Sequence, residues 1–372
     1  MDTKGTSSEV PFFVSEACCK DPENKLLELV RRSPLWQSGT TVLAACSGGA
    51  DSLALTDAML DAGALDRVDI LVAHVQHHLR GDEAERDAQL VEAYCKEQGA
   101  AFVRLDINPK ALAEGAGLSL EDAARRLRYE ALEGCRKRVG ASAIFTAHHL
   151  DDQAETVLLN LLRGAGTRGF RGMLPVKGYV ARPLLAATRQ DTEAYCRARH
   201  LHYCTDSTND DTALRRNWVR KVLLPLLREQ NPRIAVQLAQ SAAVAAWDEE
   251  CLGELATAYT QDHQKRTPEG LVLDTGTDFL ALPLAVSTRI LRQLVEDAGG
   301  SEMRFDQVQQ LYQLILRGIG GKSLDVPGKV RVTYRQGRLT ARKNTIARSK
   351  ERAAKYQKKE QQRKCMKISK EY

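Results

Sequence analysis

The sequence of 372 residues predicts an α/β fold: a doubly wound parallel sheet, then a helical connector, then a small α/β domain. Three observations carry this. Short apolar runs recur with helical patterns between them, the polar motifs stand at the ends of those runs, and the alternation stops after Asp206. Short apolar strands separated by crossover helices give a mostly parallel sheet covered on both faces. Ligands of such a sheet bind beyond the carboxyl ends of its strands.

Residues 1–33 form an N-terminal extension that begins without pattern and gains a short helix after Pro22, with Leu26, Leu27, Leu29 and Val30 on one stripe. The sheet domain spans residues 34–216. Its strands are the runs Thr41–Cys46, Asp69–Val75, Phe102–Leu105 and Ala143–Ala147, each spaced to leave room for a helix. Ser119-Leu-Glu-Asp122 has the form of a capping box and opens a helix reaching about Arg138. Residues 217–277 read as a connector of Leu- and Ala-rich helices broken by Pro225 and Pro232. Residues 278–342 form a small unit with two helical stretches and a hairpin, in which Val330, Val332 and Tyr334 alternate before a turn at Gly337. The tail, 343–372, has charge but no apolar face.

Composition narrows the function. With 43% hydrophobic residues the chain can bury cores and is not disordered. The net charge of +6 is uneven: residues 342–372 carry +9 and the rest −3. That excludes a uniformly basic nucleic-acid coat and leaves a basic appendage that could reach phosphates. The nine cysteines include no Cys-x-x-Cys pair, which suits buried thiols in a reducing compartment and argues against a disulfide framework, zinc ribbon or iron–sulfur site. No run approaches the roughly 18 apolar residues of a membrane span. A cytoplasmic protein without a membrane partner is expected.

Ser47-Gly-Gly-Ala-Asp-Ser52 lies between the first strand and a helix beginning near Ala50. Backbone N–H groups at such a helix start form an anion site. Gly48 and Gly49 allow close approach, and Ser47 and Ser52 add hydroxyls, as a phosphate chain requires. A bland turn would explain the glycines alone. Asp51 beside phosphate is repulsive unless a divalent cation bridges them, so it implies Mg²⁺ with the nucleotide. The chain's one Gly-Lys-Ser, Gly321-Lys-Ser323, fails as a Walker loop because Leu316 stands where a glycine should be and Pro327 follows where a helix is needed; it reads as loop.

His148, Asp152 and Glu155, in His148-His-Leu-Asp-Asp-Gln-Ala-Glu-Thr156, are spaced by four and three and fall on one helical face. Two carboxylates and an imidazole there could hold an ammonium, coordinate a cation or move a proton. A capped helix start explains any one of them but not the face. A dinuclear metal hydrolase is the sharper rival, weakened because the other histidines supply no second helical pair. Cys196, His200, His202 and Cys204 imitate a zinc set, but their spacing mixes a helix end with an expected strand, and ordinary packing is the reading adopted.

The Ser-Gly-Gly-x-Asp-Ser signature resembles the PP-loop ATP pyrophosphatases, which split ATP between the α and β phosphates and have the adenine nucleotide alpha hydrolase-like fold. Further strings agree in order and spacing with one family of that group: His74-Val-Gln-His-His-Leu-Arg80, Ala-Arg-Arg-Leu-Arg-Tyr129 with Arg125 and Arg128, Arg163-Gly-Ala-Gly-Thr-Arg-Gly169, Arg182-Pro-Leu-Leu185, and Asp206 through Arg220. Over about residues 40–340 the sequence resembles the short form of the tRNA(Ile)-lysidine synthetases. Gln76, His78 and Leu214 depart from that family's usual strings, and the longer members' further C-terminal domain is not expected.

The resemblance implies a ligase that activates the wobble cytidine of an isoleucine tRNA with ATP, after which the ε-amine of free L-lysine displaces AMP to give lysidine. It implies ATP as co-substrate, Mg²⁺ tentatively on Asp51, and isoleucine tRNA with a CAU anticodon as partner; a homodimer is left open. Carried over by motif, Ser47, Gly48, Gly49, Ala50, Asp51, Ser52 and His74 would bind the nucleotide. Asp51, Arg128, His148, Asp152 and Glu155 would carry the chemistry, with Arg125, Arg168, Asn209, Arg216, Asn217 and Arg220 on the RNA and substrate side. The alternatives are a PP-loop cytidine thiolase and a catalytically inactive RNA-binding protein.

Overall fold

The computed structural model describes residues 21–79, 81–204, 215–318 and 320–343. The chain divides into two compact units, Met1–Ala246 and Trp247–Tyr372.

The first unit runs α1 (Pro22–Arg31), β1 (Thr41–Ala45), α2 (Ala50–Asp66), β2 (Asp69–Gln76), α3 (Asp82–Glu97), β3 (Ala101–Asp106), α4 (Pro109–Ala116), α5 (Leu120–Val139), β4 (Ala143–Phe145), α6 (Leu150–Leu162), α7 (Thr167–Phe170), β5 (Val176–Lys177), β6 (Val180–Ala181) and α8 (Arg189–Ala198). After the undescribed residues 205–214 come α9 (Arg215–Trp218), a π-helical turn at Val219–Leu223, α10 (Leu224–Gln230) and α11 (Ile234–His263), whose last turns pass into the second unit.

The six strands are ordered β3-β2-β1-β4-β6-β5, parallel except for the β5–β6 pair. All four expected strands are present, and both faces are covered. Val42, Ala44 and Phe145 pack with Leu26, Leu55, Met59 and Tyr195 of α1, α2 and α8, whereas Leu43, Ala73 and Ile144 pack with Leu132 and Cys135 of α5. The period-2 alternation of strand side chains produces this division. Because β1 is flanked by β2 on one side and β4 on the other, strand order reverses there, and in such sheets the ligand crevice lies beyond the carboxyl ends of those strands. Both candidate motifs begin at those ends.

Three features differ from expectation. The helix after Pro22 belongs to the sheet unit's core, since Leu26, Leu29 and Val30 are buried in it, and is not part of a separate extension. The two-residue strands β5 and β6 were unforeseen, because so short a segment has no periodicity to read. The small sheet also starts earlier than residue 278. The second unit contains β7 (Gln264–Thr267), β8 (Gly270–Asp274), α12 (Leu284–Asp297), α13 (Phe305–Leu316), β9 (Lys322–Val326), β10 (Val330–Arg335) and β11 (Arg338–Lys343). Its antiparallel sheet is ordered β7-β8-β11-β10-β9, so the expected connector donates two strands. Lys322 and Ser323, expected in a loop, lie in β9. The hairpin is as anticipated: Val330, Val332 and Tyr334 are buried against Ile290, Leu294 and Leu311, and Gly337 turns with φ +74°. Lys343, expected as the first residue of the tail, ends β11, while residues 344–372 lie outside the described residues.

Beneath the crevice, Asp57 of α2 ties three helices together. Its carboxylate accepts from Tyr94 Oη of α3 at 2.6 Å, from Tyr195 Oη of α8 at 2.8 Å and from Arg199 Nε at 2.9 Å. Removing such a carboxylate leaves two buried hydroxyls without their acceptor, while Arg199 keeps Asp61 Oδ2 at 3.0 Å. Asp57→Ala is expected to cost about 3 to 5 kcal/mol, towards the lower figure because Arg199 keeps contact with water. Urea unfolding checks this against Leu65→Ala on the exposed face of α2, which should change stability by under about 0.5 kcal/mol.

Candidate active site

The loop after β1 is shaped from within by Ser52. Its hydroxyl accepts from Ser47 N at 3.1 Å, donates to Gly49 O at 3.0 Å and lies 3.0 Å from Ser47 Oγ. Ser52 is buried, so it builds the loop and is not turned outward as a phosphate donor; Ser47 is exposed. Gly48 has φ +91°, a conformation that only glycine adopts freely, and an added Cβ would press on Asp87 O and Val91 Cγ2 at 3.4 Å. Gly49 caps α2, leaving the N–H groups of its first turn without intrahelical acceptors. His74 is buried, its Nδ1 3.0 Å from Cys46 O, and burial pulls its pKa down. It supports the loop from behind.

The second wall starts at the end of β4. His149 caps α6, with Asp152 N donating to its Nδ1 at 3.4 Å and His149 N donating to Asp152 Oδ2 at 3.2 Å. His148 therefore precedes the helix and does not share its face by helical spacing. Asp152 and Glu155 do share a face, and both are buried, Glu155 at 1% exposure. His148 joins them through the strand end instead, near enough for Asp152 to act on its charge.

Two arginines close on the carboxylates. Arg216 of α9 donates Nη2 to Asp152 Oδ1 at 3.1 Å and Nε to Glu155 Oε2 at 3.0 Å. Arg220 of the π turn donates Nε to Glu155 Oε1 at 2.5 Å, and Nη2 to Asp152 Oδ1 and Glu155 Oε2 at 3.1 Å. A π turn widens a helix and is often found where a side chain must be re-aimed for function. The aligned Asn217 is buried beside them. A face read as open to an ammonium group is thus engaged by the protein's own cations.

A second set of guanidiniums is not neutralised in this way. Arg125 and Arg128 of α5 lie 5.5 Å from the Tyr129 ring centroid, and no carboxylate pairs with either among the described residues. Burial, with Arg125 and Arg216 nearby, pulls the Arg128 pKa down. Arg182, 7% exposed, donates Nη1 to Leu174 O at 2.9 Å while its buried Nε has no hydrogen-bond partner among the described residues. Burial and then the charges of Arg182, Arg128 and Arg125 hold His148 neutral, although Asp152 opposes them. Such an electropositive hollow beside a helix N-terminus suits an anion.

Asp51 and His149 join the two walls. Thr192 of α8 donates its hydroxyl to Asp51 Oδ1, and His149 Nε2 lies 3.6 Å from Asp51 Oδ2 and 3.5 Å from Asp152 Oδ2. Burial pushes the Asp51 carboxyl up, but His149 and Thr192 outweigh it and hold its pKa below the usual range. His149 moves the opposite way: burial lowers its pKa, and Asp51, Asp152 and Asp151 raise it further than that. Protonation would give up the long cap bond at Nδ1 for attraction to Asp151 Oδ2, 3.8 Å away. With three carboxylates around the ring, the upward shift prevails.

His149 and Thr192 were not singled out from sequence, and Arg182 entered only as the start of a family string, with no role. The His148-His149 doublet was the one available signal, since Thr192 sits in an ordinary amphipathic helix. Arg168 is half-buried in α7, beside a loop held by Gln153, which donates to Met173 O at 3.0 Å. Asn209, Arg80 and Leu214 lie outside the described residues. The imitation zinc set does not assemble: Cys196 Sγ is 3.4 Å from Ala50 O, residues 201–204 form no strand, and no metal-holding group of three or more ligands occurs among the described residues.

Comparison with known proteins gives this geometry a family. A PP-loop domain model matches residues 20–227, and a TilS substrate binding domain model matches residues 277–340. The chain is 38% identical to the tRNA(Ile)-lysidine synthase of Geobacter sulfurreducens, over 80% of this chain and 64% of that protein. It is 32% identical to that of Geobacillus kaustophilus, over 83% and 68%, and 35% identical to that of Symbiobacterium thermophilum, over 85% and 68%. The chain belongs to the tRNA(Ile)-lysidine synthase family. It spans 64 to 68% of the length of these three relatives. Membership of the tRNA(Ile)-lysidine synthase family agrees with the resemblance carried by the motifs. No helix among the described residues is long and apolar enough to cross a membrane.

The His149 geometry has a signed pH consequence. Its folded pKa is raised, so the stability it contributes is present below the unfolded value of about 6.5 and lost as pH rises through the folded value. The lowered Asp51 acts in the other direction: its contribution is present above about 3.9 and lost as pH falls through its folded value. His149→Gln should therefore flatten the neutral-to-alkaline decline in melting temperature and, because His149 is also the strongest influence lowering Asp51, soften the acid limb as well. A variant with an unchanged alkaline limb would contradict the upward shift.

Proposed function

We propose that the protein ligates free L-lysine to the wobble cytidine of isoleucine tRNA with a CAU anticodon, through an adenylated cytidine. The observation that carries this is the pair Asp152 and Glu155, two buried carboxylates between a phosphate-binding loop and a cluster of arginines that pairs with no carboxylate among the described residues.

In the first step the cytidine carbonyl oxygen bonds to the α phosphorus of ATP, and diphosphate leaves with the electron pair of the broken P–O bond. The N–H groups opening α2 and the Ser47 hydroxyl hold the phosphates. Arg128, with Arg125 beside it, faces the charge that develops on the phosphoryl oxygens. Asp51 is the residue that would hold Mg²⁺. One carboxylate suits an ion that keeps its waters and takes its other ligands from phosphate oxygens. The ion's contribution there is to neutralise phosphate charge.

In the second step the ε-nitrogen of lysine bonds to the activated cytidine carbon, the C–O bond to AMP breaks, and AMP leaves with that electron pair, its phosphate taking the second proton that the new nitrogen sheds. The lysine ammonium is held by Asp152 and Glu155 in place of a guanidinium, and its proton passes to neutral His148. Arg216 and Arg220, once displaced, lie beside the AMP phosphate and the RNA. Sulfur transfer lacks comparable support: burial pushes the Cys95 and Cys196 thiols up to about 12, which makes them poor nucleophiles.

Incubation with ATP, radiolabelled lysine and a CAU-anticodon isoleucine tRNA transcript tests the reading. Label in the nucleoside fraction, with AMP and diphosphate formed, is expected; diphosphate release without lysine incorporation would overturn it. Asp152→Asn and Glu155→Gln should each raise the lysine requirement by the equivalent of about 2 to 5 kcal/mol and the ATP requirement far less. Equal losses for both substrates would contradict an ammonium site.

A further inference from the structure

Thr146 follows the last residue of β4 and is buried, 7% exposed. Its backbone N–H donates to Ala181 O at 3.0 Å, continuing the pairing of β4 with β6. Its hydroxyl oxygen lies 3.4 Å from the same carbonyl and 3.0 Å from His148 Nδ1. A hydroxyl has one hydrogen to give, and a carbonyl oxygen can only accept. Both contacts are hydrogen bonds in one arrangement alone: the hydroxyl donates to Ala181 O and accepts from His148 Nδ1–H.

We infer that Thr146 is a positioning residue that fixes the tautomer of His148, placing the proton on Nδ1 and leaving the Nε2 lone pair free to take the proton of the incoming lysine ammonium. The proton moves from the ammonium nitrogen to Nε2, and the freed amine pair forms the new C–N bond. The inference rests on the proposed lysine transfer for its purpose, but its hydrogen-bond content stands separately. The opposite tautomer would present Nε2–H to the ammonium, a donor facing a donor, and could take no proton there. The groups that act on the ring are Asp152 from α6, Arg125 and Arg128 from α5, and Arg182 after β6. The guanidiniums and burial keep it neutral, the state in which tautomer matters.

The role also explains why the sheet is extended by the short strands β5 and β6. Val180–Ala181 fixes one carbonyl at the carboxyl end of β4, and that carbonyl sets the direction of the Thr146 hydroxyl. A histidine with its Nδ1–H held by a protein acceptor is a recurrent way of aiming Nε2.

Long-range ¹H–¹⁵N spectra of the full chain labelled with ¹⁵N-histidine test the assignment directly. The resonance absent in His148→Asn identifies the ring, and an unprotonated Nε2 is expected in the wild type. Thr146→Ser should keep that signature, and Thr146→Val should lose it. In single-turnover reactions starting from adenylated tRNA, Thr146→Val should slow lysine transfer at saturating lysine by at least about tenfold, the low side of what a misdirected base loses. Thr146→Ser should stay within about twofold of the wild type, and adenylation should be unaffected in both. A protonated Nε2 in the wild type, or a valine variant with unchanged tautomer and unchanged transfer, overturns the inference. If Thr146→Val does not fold, the wild-type spectrum and the serine variant still decide it. The stated tautomer in a wild type that makes no lysidine would instead refute the lysine reading and leave the hydrogen-bond assignment intact.

Discussion

Asp152 and Glu155 stand one turn apart, buried at the start of α6, and two negative charges so placed are tolerated because Arg216 and Arg220 reach them from the far side of the crevice. Burying an ion costs several kcal/mol unless a partner and further hydrogen bonds compensate it. The five contacts between these groups are that compensation. The same need makes the face useful. A cation must be present, but it need not be the protein's own, which is the basis of the proposal that an amine substrate and the guanidiniums exchange on one pair of carboxylates. Arg128 and Arg182 show the reverse design, as cations in a sheltered place with no carboxylate partner among the described residues.

Topology brings these two halves together. β1 and β4 are neighbours, yet a hundred residues separate their carboxyl ends, and the strand order reverses between them. The phosphate loop grows from one end and the His-rich cap of α6 from the other. Thr192 and His149 then join Asp51 to both walls. Asp57 and its two tyrosines lie directly below and hold α2, α3 and α8 to one another.

The sequence made this crevice legible where chemistry and periodicity coincide. Four strands, the helix starting at Ala50 and the Asp152–Glu155 face follow from short apolar runs ending in polar motifs. What it hid was reached by tertiary contact. His148 was assigned to a helical face that begins after it, because a cap residue is not apparent from spacing alone. Ser52 reads as a phosphate donor until its hydroxyl is seen turned into the loop. Arg216 and Arg220 were expected on the RNA and substrate side, and their engagement with the carboxylates is a tertiary contact that spacing does not show. Gln264–Asp274 was taken into the connector because a four- and a five-residue strand beside a 30-residue helix give little alternation to read.

The sharing of Asp152 and Glu155 between guanidinium and substrate ammonium is tested most directly by calorimetric titration of lysine into the protein without ATP or tRNA, comparing the wild type with Arg216→Gln. Taking away one of the two competing cations leaves the carboxylates less compensated. The variant should therefore bind lysine several-fold more tightly, with the gain abolished when Asp152→Asn is added. Lysine binding that is unchanged or weakened by Arg216→Gln would show that the arginines and the amine do not compete for one site.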